Sequence, residues 1–376
     1  MKFEIVNLLF ISSLLVFFAC KPKKDSPNET KDTPNREAVL INLADQIIIP
    51  GYTQFNTSLI GLASSYNKFA DEPTIEYLNA FRTDWEKAYL QWQTVELFDV
   101  GPASDYALRF YFNIYPTNTS LVQTNISDGN ANLGRPANYA AQGFPALDYM
   151  LYGIASTDTE ILNLYTTDAS AQARLKYIGL IIAQMNLEFK RVFDLWNTSY
   201  RDTFVSRTGV DITSSFGQLV NGYVLNYERF IRSGKIGIPS GAMMNGVVAP
   251  EKVEAYYRKD LSKKLVLAAN TASKDFFMGT SRITHQEGQS FYTYLKALTA
   301  TDSKTGADLA NQIKNKFDDV TNAILQLGDN FAEQTQTNNA GLIAAYNQMQ
   351  TQVRLLKVDL TSAMSITITY TDNDGD

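Results

Sequence analysis

The sequence predicts an all-α protein built as up-and-down helical bundles. Two observations carry this expectation: apolar residues recur at alternating steps of three and four along several long stretches, and period-two alternation is confined to one short run near the C-terminus. The stretch opening at Pro73 places Leu78, Phe81, Trp85, Ala88, Trp92 and Val95 on one face. Others place Leu175, Ile178, Ile182, Met185, Phe189, Val192 and Trp196, then Leu309, Ile313, Phe317, Val320, Ile324 and Leu327. A last stripe reads Leu342, Tyr346, Met349, Val353, Leu356 and Leu360. Each gives a long helix one apolar face, and steps averaging about 3.5 residues favour shallow crossing angles.

The punctuation supplies the ends. Asp71 before Glu72-Pro73 is expected to cap a helix whose first turn holds the proline. Pro250 is expected to open another through PEKVEAYYRKDLSKKLVLAA. Pro50-Gly51 is expected to kink or break the first helical segment. SITITYT near the C-terminus is expected to form one short extended piece. Two stretches do not read as regular helix. Tyr115–Gln142 is punctuated by Pro, Asn and Gly, and a loop of such length inside a domain is usually functional or disordered. Ile236–Val248 (IGIPSGAMMNGVV) is a candidate hinge between halves.

The N-terminus reads as an address. Lys2, an apolar run from Ile5 to Phe18, and Ala19 have the three parts of a secretory signal over residues 1–19. The run is too short to span a bilayer comfortably. Cys20, the only cysteine, follows at once, in the position where a lipoprotein thiol is diacylated, although Phe17 stands where Leu is usual. Two acyl chains give stable attachment. Residues 20–37 carry the polar run KPKKDSPNETKDTPNR, a tether that cannot bury enough surface to fold. The protein is therefore expected outside the cytoplasm, on the membrane through Cys20. The outer membrane is favoured because Lys21, not Asp, follows the cysteine.

Composition narrows the rest. The chain has 376 residues, 45% of them apolar, enough for two domains with a substantial core. No intramolecular disulfide can form with a single cysteine. A net charge of −6 with scattered lysines argues against nucleic acid as a partner.

INLADQIIIPGY, WQTVELFDVGP, GFPALDYMLYG and two later runs, taken in order, resemble the imelysin-like family. GFPALDYMLYG (Gly143 to Gly153) is similar to its Gly-x-His-x-x-Glu region and the apolar stretch that follows. INLADQIIIPGY resembles its first helix, and WQTVELFDVGP the helix end before its first long loop. LVNGYVLNYERFIRSGKIGIP and the closing VDLTSAMSITITYTDNDGD are also similar. The resemblance implies two packed, related helical bundles with the motif near their interface. These are assigned to residues 38–203, carrying GFPALDY, and 204–376. It also implies a periplasmic or lipid-anchored protein of a family some of whose members are classed as metallopeptidases and several of which are linked to iron uptake. The motif is degenerate here: Pro145 occupies the His position and Asp148 the Glu position.

That departure bears on the chemistry. A zinc peptidase needs imidazole ligands and a carboxylate to activate water, but His285 is the one histidine and HQE lacks ligand spacing. His285 reads as a surface or loop residue. Zinc is disfavoured, as is a Ser-His-Asp or Cys-His nucleophile. Oxygen chemistry remains. If the chain packs as the family does, Glu96 and Asp148 would form a carboxylate pair at the interface, with Arg135 from the loop between them. Such a pair could hold iron or calcium, or Arg135 could simply lock the loop onto the bundle. Gly143, Pro145 and Tyr149 complete the candidate ligand-binding set, with no catalytic residue assigned. The tyrosines could line a cleft or fill the core, and the tail DNDGD could open a calcium loop or be a solvated acidic end. Three functions follow: a non-catalytic ligand-binding or accessory lipoprotein linked to iron uptake, an active metallopeptidase with an oxygen-ligated metal, or a helical docking protein for an outer-membrane receptor. Possible partners are therefore a metal, a peptide or that receptor.

Overall fold

The computed structural model describes residues 34–371. The signal segment, Cys20, nearly all of the tether and the DNDGD tail lie outside the described residues. The apolar stripes become the cores of long helices. Ile49–Asp71 packs against Ile75–Gln93 and Ala171–Leu195. Leu309–Leu325 packs against Ser262–Met278 and Asn339–Arg354. Ile75–Gln93 also packs on Ser262–Met278, which joins the two groups. The fold is all-α, with no strand among the described residues. Every stripe residue is buried apart from Tyr346, which is half-buried. No described helix is long and apolar enough to cross a membrane.

Four local expectations are corrected. Pro73 does not sit in the first helical turn. Proline disfavours helical geometry in the residue before it; Glu72 is extended, and the cap falls on Thr74, whose hydroxyl accepts from Tyr77 N–H at 3.2 Å. Of the kink or break expected at Pro50-Gly51, the break does not occur. The turn before it, Leu43–Ile48, widens to π geometry, and Ile49–Asp71 then runs on through Pro50-Gly51. Proline lacks the N–H that would bond the carbonyl four residues back. That carbonyl, on Gln46, accepts instead from the Arg282 backbone N–H at 2.9 Å. The 115–142 stretch is partly helical, with Thr119–Asp128 capped by Asn118 and a tight turn at Pro136–Ala141. Pro250 opens only the short turn Pro250–Lys252, and regular helix resumes at Ser262.

The remaining expectations are refined. SITITYT starts from a left-handed turn at Ser365 (φ +58°) and belongs to no sheet; the Asn221 amide satisfies it, donating to Thr367 C=O at 3.0 Å and accepting from Thr369 N–H at 2.9 Å. The 236–248 stretch begins inside the helical Asn226–Gly237 and then closes on itself through bonds such as Ala249 N–H to Pro239 C=O at 2.9 Å.

An aromatic stack orders the first group of helices. Phe55, fully buried, lies 4.8 Å from Phe189 and 5.5 Å from both Trp92 and Phe112. Trp92 stacks on Phe112, and Tyr89 on Phe144, each at 4.6 Å and 10°. These rings bury large apolar areas with defined geometry. Phe55→Ala is expected to lower stability by about 3–5 kcal/mol, read from the urea midpoint. Leu187→Ala, at a position 56% exposed, should stay within about 0.5 kcal/mol.

Candidate functional site

The segment from Gly143 to Gly153 is a single turn of α-helix, Gly143–Asp148, followed by a π turn, Tyr149–Gly153. So short an element leaves carbonyls unpaired, and side chains from two long helices and one short one satisfy carbonyls in it and just before it. Tyr177 donates to Ala141 C=O at 2.5 Å and Trp85 Nε1 to Phe144 C=O at 3.3 Å. Tyr165 donates to Met150 C=O at 2.6 Å and Arg82 to Leu151 C=O at 2.7 Å. Gly143 is left-handed (φ +72°), and a Cβ there would stand 2.3 Å from Phe112 O. Pro145 falls in the first turn, where a missing N–H costs nothing.

Asp148 ends this turn at 1% exposure. Its carboxylate accepts from two consecutive backbone N–H groups, Tyr257 to Oδ2 and Arg258 to Oδ1, each at 2.9 Å. Those donors are free because residues 253–260 are not helical, with Ala255 (φ +55°) and Lys259 (φ +59°) both left-handed. Gly153 lets the loop approach, since a Cβ there would lie 2.2 Å from the Tyr257 ring. Burial pushes the Asp148 carboxyl up to about 7, against the opposing pull of the two N–H groups and the Arg258 charge.

At the start of this loop, Glu254 anchors a second buried cluster. Lys235 Nζ lies 2.5 Å from Glu254 Oε2 and donates to Gln93 Oε1 at 2.6 Å. Gln93 and Asn113 both donate to Glu254 Oε1, at 3.0 and 2.8 Å, and Tyr89 donates to Asn113 at 2.7 Å. Burial, and then the Glu254 charge, hold the Tyr89 and Tyr115 phenols well above their ordinary value. The loop between these anchors walls a cavity of about 260 Å³, faced by Tyr115, Thr117, Pro145, Asp148, Tyr256 and Tyr257. Thr117 Oγ1 is buried, with no hydrogen-bond partner among the described residues.

The expected constellation is only partly assembled. Pro145 and Asp148 face the cavity, and the Tyr149 ring lies 5.1 Å from Tyr257, its hydroxyl accepting from Gln123 at 3.1 Å. The arginine is not Arg135, which is exposed. Arg109 instead pairs with the Glu96 carboxylate, donates to Glu96 C=O at 2.9 Å and stacks 3.5 Å from the Phe230 ring centre. Glu96 and Asp148 therefore have separate partners. Each Asp148 oxygen accepts a backbone N–H, and Glu96 binds a guanidinium. No group of three or more His, Cys, Asp or Glu side chains stands ready for an ion among the described residues. His285 lines a different cavity, beside Asp275 and Arg282. Lys235, Glu254, Gln93 and Asn113 were not among the residues singled out from the sequence. The available signal was Lys235 itself, a lone charge in the apolar, glycine-flanked SGKIGIP.

The Asp148 environment predicts a pH dependence. Its folded pKa lies above the unfolded value of about 3.9. Its contribution to stability is therefore full below about pH 4 and is lost as pH rises through 7. Relative to Asp148→Asn, the wild type should lose up to about 4 kcal/mol between those limits. Urea midpoints across that range read the difference, and parallel curves would mean the buried carboxyl is already ionised at pH 4.

Known proteins carry the same architecture. The chain is similar in fold to an iron-regulated protein A precursor from Parabacteroides distasonis, with a TM-score of 0.71 and 17% identity, covering 90% of this chain and 96% of that one. It is similar to an imelysin-like protein from Psychrobacter arcticum, with a TM-score of 0.66 and 18% identity over 89% and 97% of the two chains. In sequence it is 23% identical over 203 residues to iron-regulated protein A of Synechococcus elongatus. It spans about half the length of that curated relative, 52% of each chain being covered. The imelysin (peptidase M75) family model matches residues 48–357. With the helical architecture and the GFPALDY turn already in place, this match over most of the chain makes the protein a member of the imelysin family.

Proposed function

We propose that this protein is a lipid-anchored, extracytoplasmic accessory of iron acquisition that holds a ligand in the Asp148 cavity and does not cleave it. What carries the reading is the commitment of Asp148, both of whose oxygens accept backbone N–H groups; by the family resemblance, Pro145 falls at the motif's His position. A carboxylate so engaged is poor at activating water, which needs a free acceptor within reach of the nucleophile. The same two bonds suit a binding protein, because they fix the loop that presents Tyr256 and Tyr257 to the cavity. The buried Thr117 hydroxyl offers a ligand an unclaimed hydrogen bond. The iron link is carried over from relatives bearing the name iron-regulated protein A. The location rests on Cys20 and the apolar run before it.

Abundance measured with and without iron starvation, with metal content read from the same untagged protein, tests the iron link. Abundance should rise under starvation, and a flat response with no bound iron removes iron from the proposal. Cys20→Ser should release the protein from the membrane fraction into the soluble extracytoplasmic fraction. Peptide-library digestion should yield no cleavage; cleavage abolished by Asp148→Ala would replace this reading with a peptidase.

A further inference from the structure

A second cavity, of about 510 Å³, lies against the same two tyrosines that wall the first. It needs nothing to bind beside Asp148, because most of its wall is different. Tyr152 comes from the π turn and Ser156 from the segment after it, and Glu333 and Gln336 from the helix Phe331–Thr337. Elements distant in sequence thus meet around one space, a common setting for small-ligand sites.

The walls combine aromatic faces with polar edges. Tyr256 is 38% exposed, and its ring meets that of Tyr257 nearly at right angles, 82° at 5.1 Å. Tyr152 is held in place, its ring 4.5 Å from the Arg82 guanidinium, 5.3 Å from that of Arg258 and 5.5 Å from Trp85. Burial drives its phenol upward, so that ring stays neutral. Around the rings stand a hydroxyl (Ser156), an amide (Gln336), a carboxylate (Glu333) and an ammonium (Lys259). Lys259 is held left-handed, a conformation uncommon for a long side chain. Strain of this kind concentrates at functional positions.

This chemistry discriminates between ligand classes. A purely apolar ligand would leave the carboxylate, ammonium and amide without partners. An anion would meet Glu333 as well as Lys259, with no excess of positive charge to hold it. A sugar ring suits both surfaces: its C–H face packs on a tyrosine while its rim of hydroxyls donates to Glu333 and Gln336 and accepts from Lys259 and Ser156. We propose that the cavity between Tyr152, Tyr256 and the Phe331–Thr337 helix is a binding site for a short neutral oligosaccharide.

The test titrates cellotriose, maltotriose, chitotriose and mannotriose into the purified full chain, with triglycine as a peptide comparison. Binding is read by intrinsic fluorescence and saturation-transfer NMR. At least one trisaccharide should bind saturably, and Tyr256→Ala and Gln336→Ala should each weaken it about tenfold with the melting temperature unchanged. Gln336 lines the second cavity and not the first, so its effect places the sugar. The proposal is overturned if no trisaccharide binds at millimolar concentration, if a bound sugar is indifferent to Gln336→Ala and Glu333→Gln, or if triglycine alone binds. Absence of trisaccharide binding leaves the reading of the Asp148 cavity standing, because that reading names no sugar.

Discussion

The site depends on a carboxylate that has been given two backbone N–H groups in place of water. Asp148 is almost wholly buried, and a buried carboxylate is costly unless its oxygens are satisfied. The consecutive N–H groups of Tyr257 and Arg258 satisfy them only because residues 253–260 are held out of helical geometry. A helix there would have consumed both donors internally. Glu254 and Lys235 hold one end of that loop and Asp148 the other, so Tyr256 and Tyr257 are presented from a fixed frame. The same clamp explains why Gly153 is glycine, since the Tyr257 ring occupies the space a side chain would need.

The degree to which the fold was legible follows from the range of the forces involved. The four apolar stripes report a one-dimensional period, and nearly all their residues are buried as that period requires. The helix expected to start at Pro250 was illegible because its competitor is non-local: the N–H groups of Tyr257 and Arg258 bond Asp148, more than a hundred residues earlier. Arg135 was singled out for its place in the loop joining the two acidic segments. Proximity in sequence said nothing about which guanidinium could be buried against Glu96. Within the candidate site, Pro145 and Asp148 were found through the family resemblance, while Lys235 and Glu254 were hidden by partners far along the chain.

Four of the five runs that carry the resemblance share a physical trait, although one further π turn, Trp196–Tyr200, lies outside them. Leu43–Ile48, Tyr149–Gly153, Asn226–Gly237 and Leu355–Leu360 all have π geometry, and each falls within or overlaps one of those runs. A π turn exposes a carbonyl or bends the axis at a set residue, so it demands particular neighbours in a way that a regular turn does not. Gln46 is the clearest case: Pro50 cannot use its carbonyl, and the Arg282 N–H does. Regular helical surface tolerates many sequences of equal pattern, whereas these irregular turns specify residues.

The Lys235–Glu254–Gln93–Asn113 cluster constrains how the molecule can change over generations. Its four side chains come from widely separated parts of the chain, and each is nearly sealed from water. Losing one member of a buried ion pair costs about 3–5 kcal/mol, a large share of the 5–15 kcal/mol by which domains are typically stable. A single substitution therefore enters a deep fitness trough, and the exit from it requires a matching change at a distant codon. Such a cluster is inherited as a block or replaced as a block. The exposed rims of the two cavities carry no such debt, so new ligand preferences can be tried there while the frame beneath stays fixed.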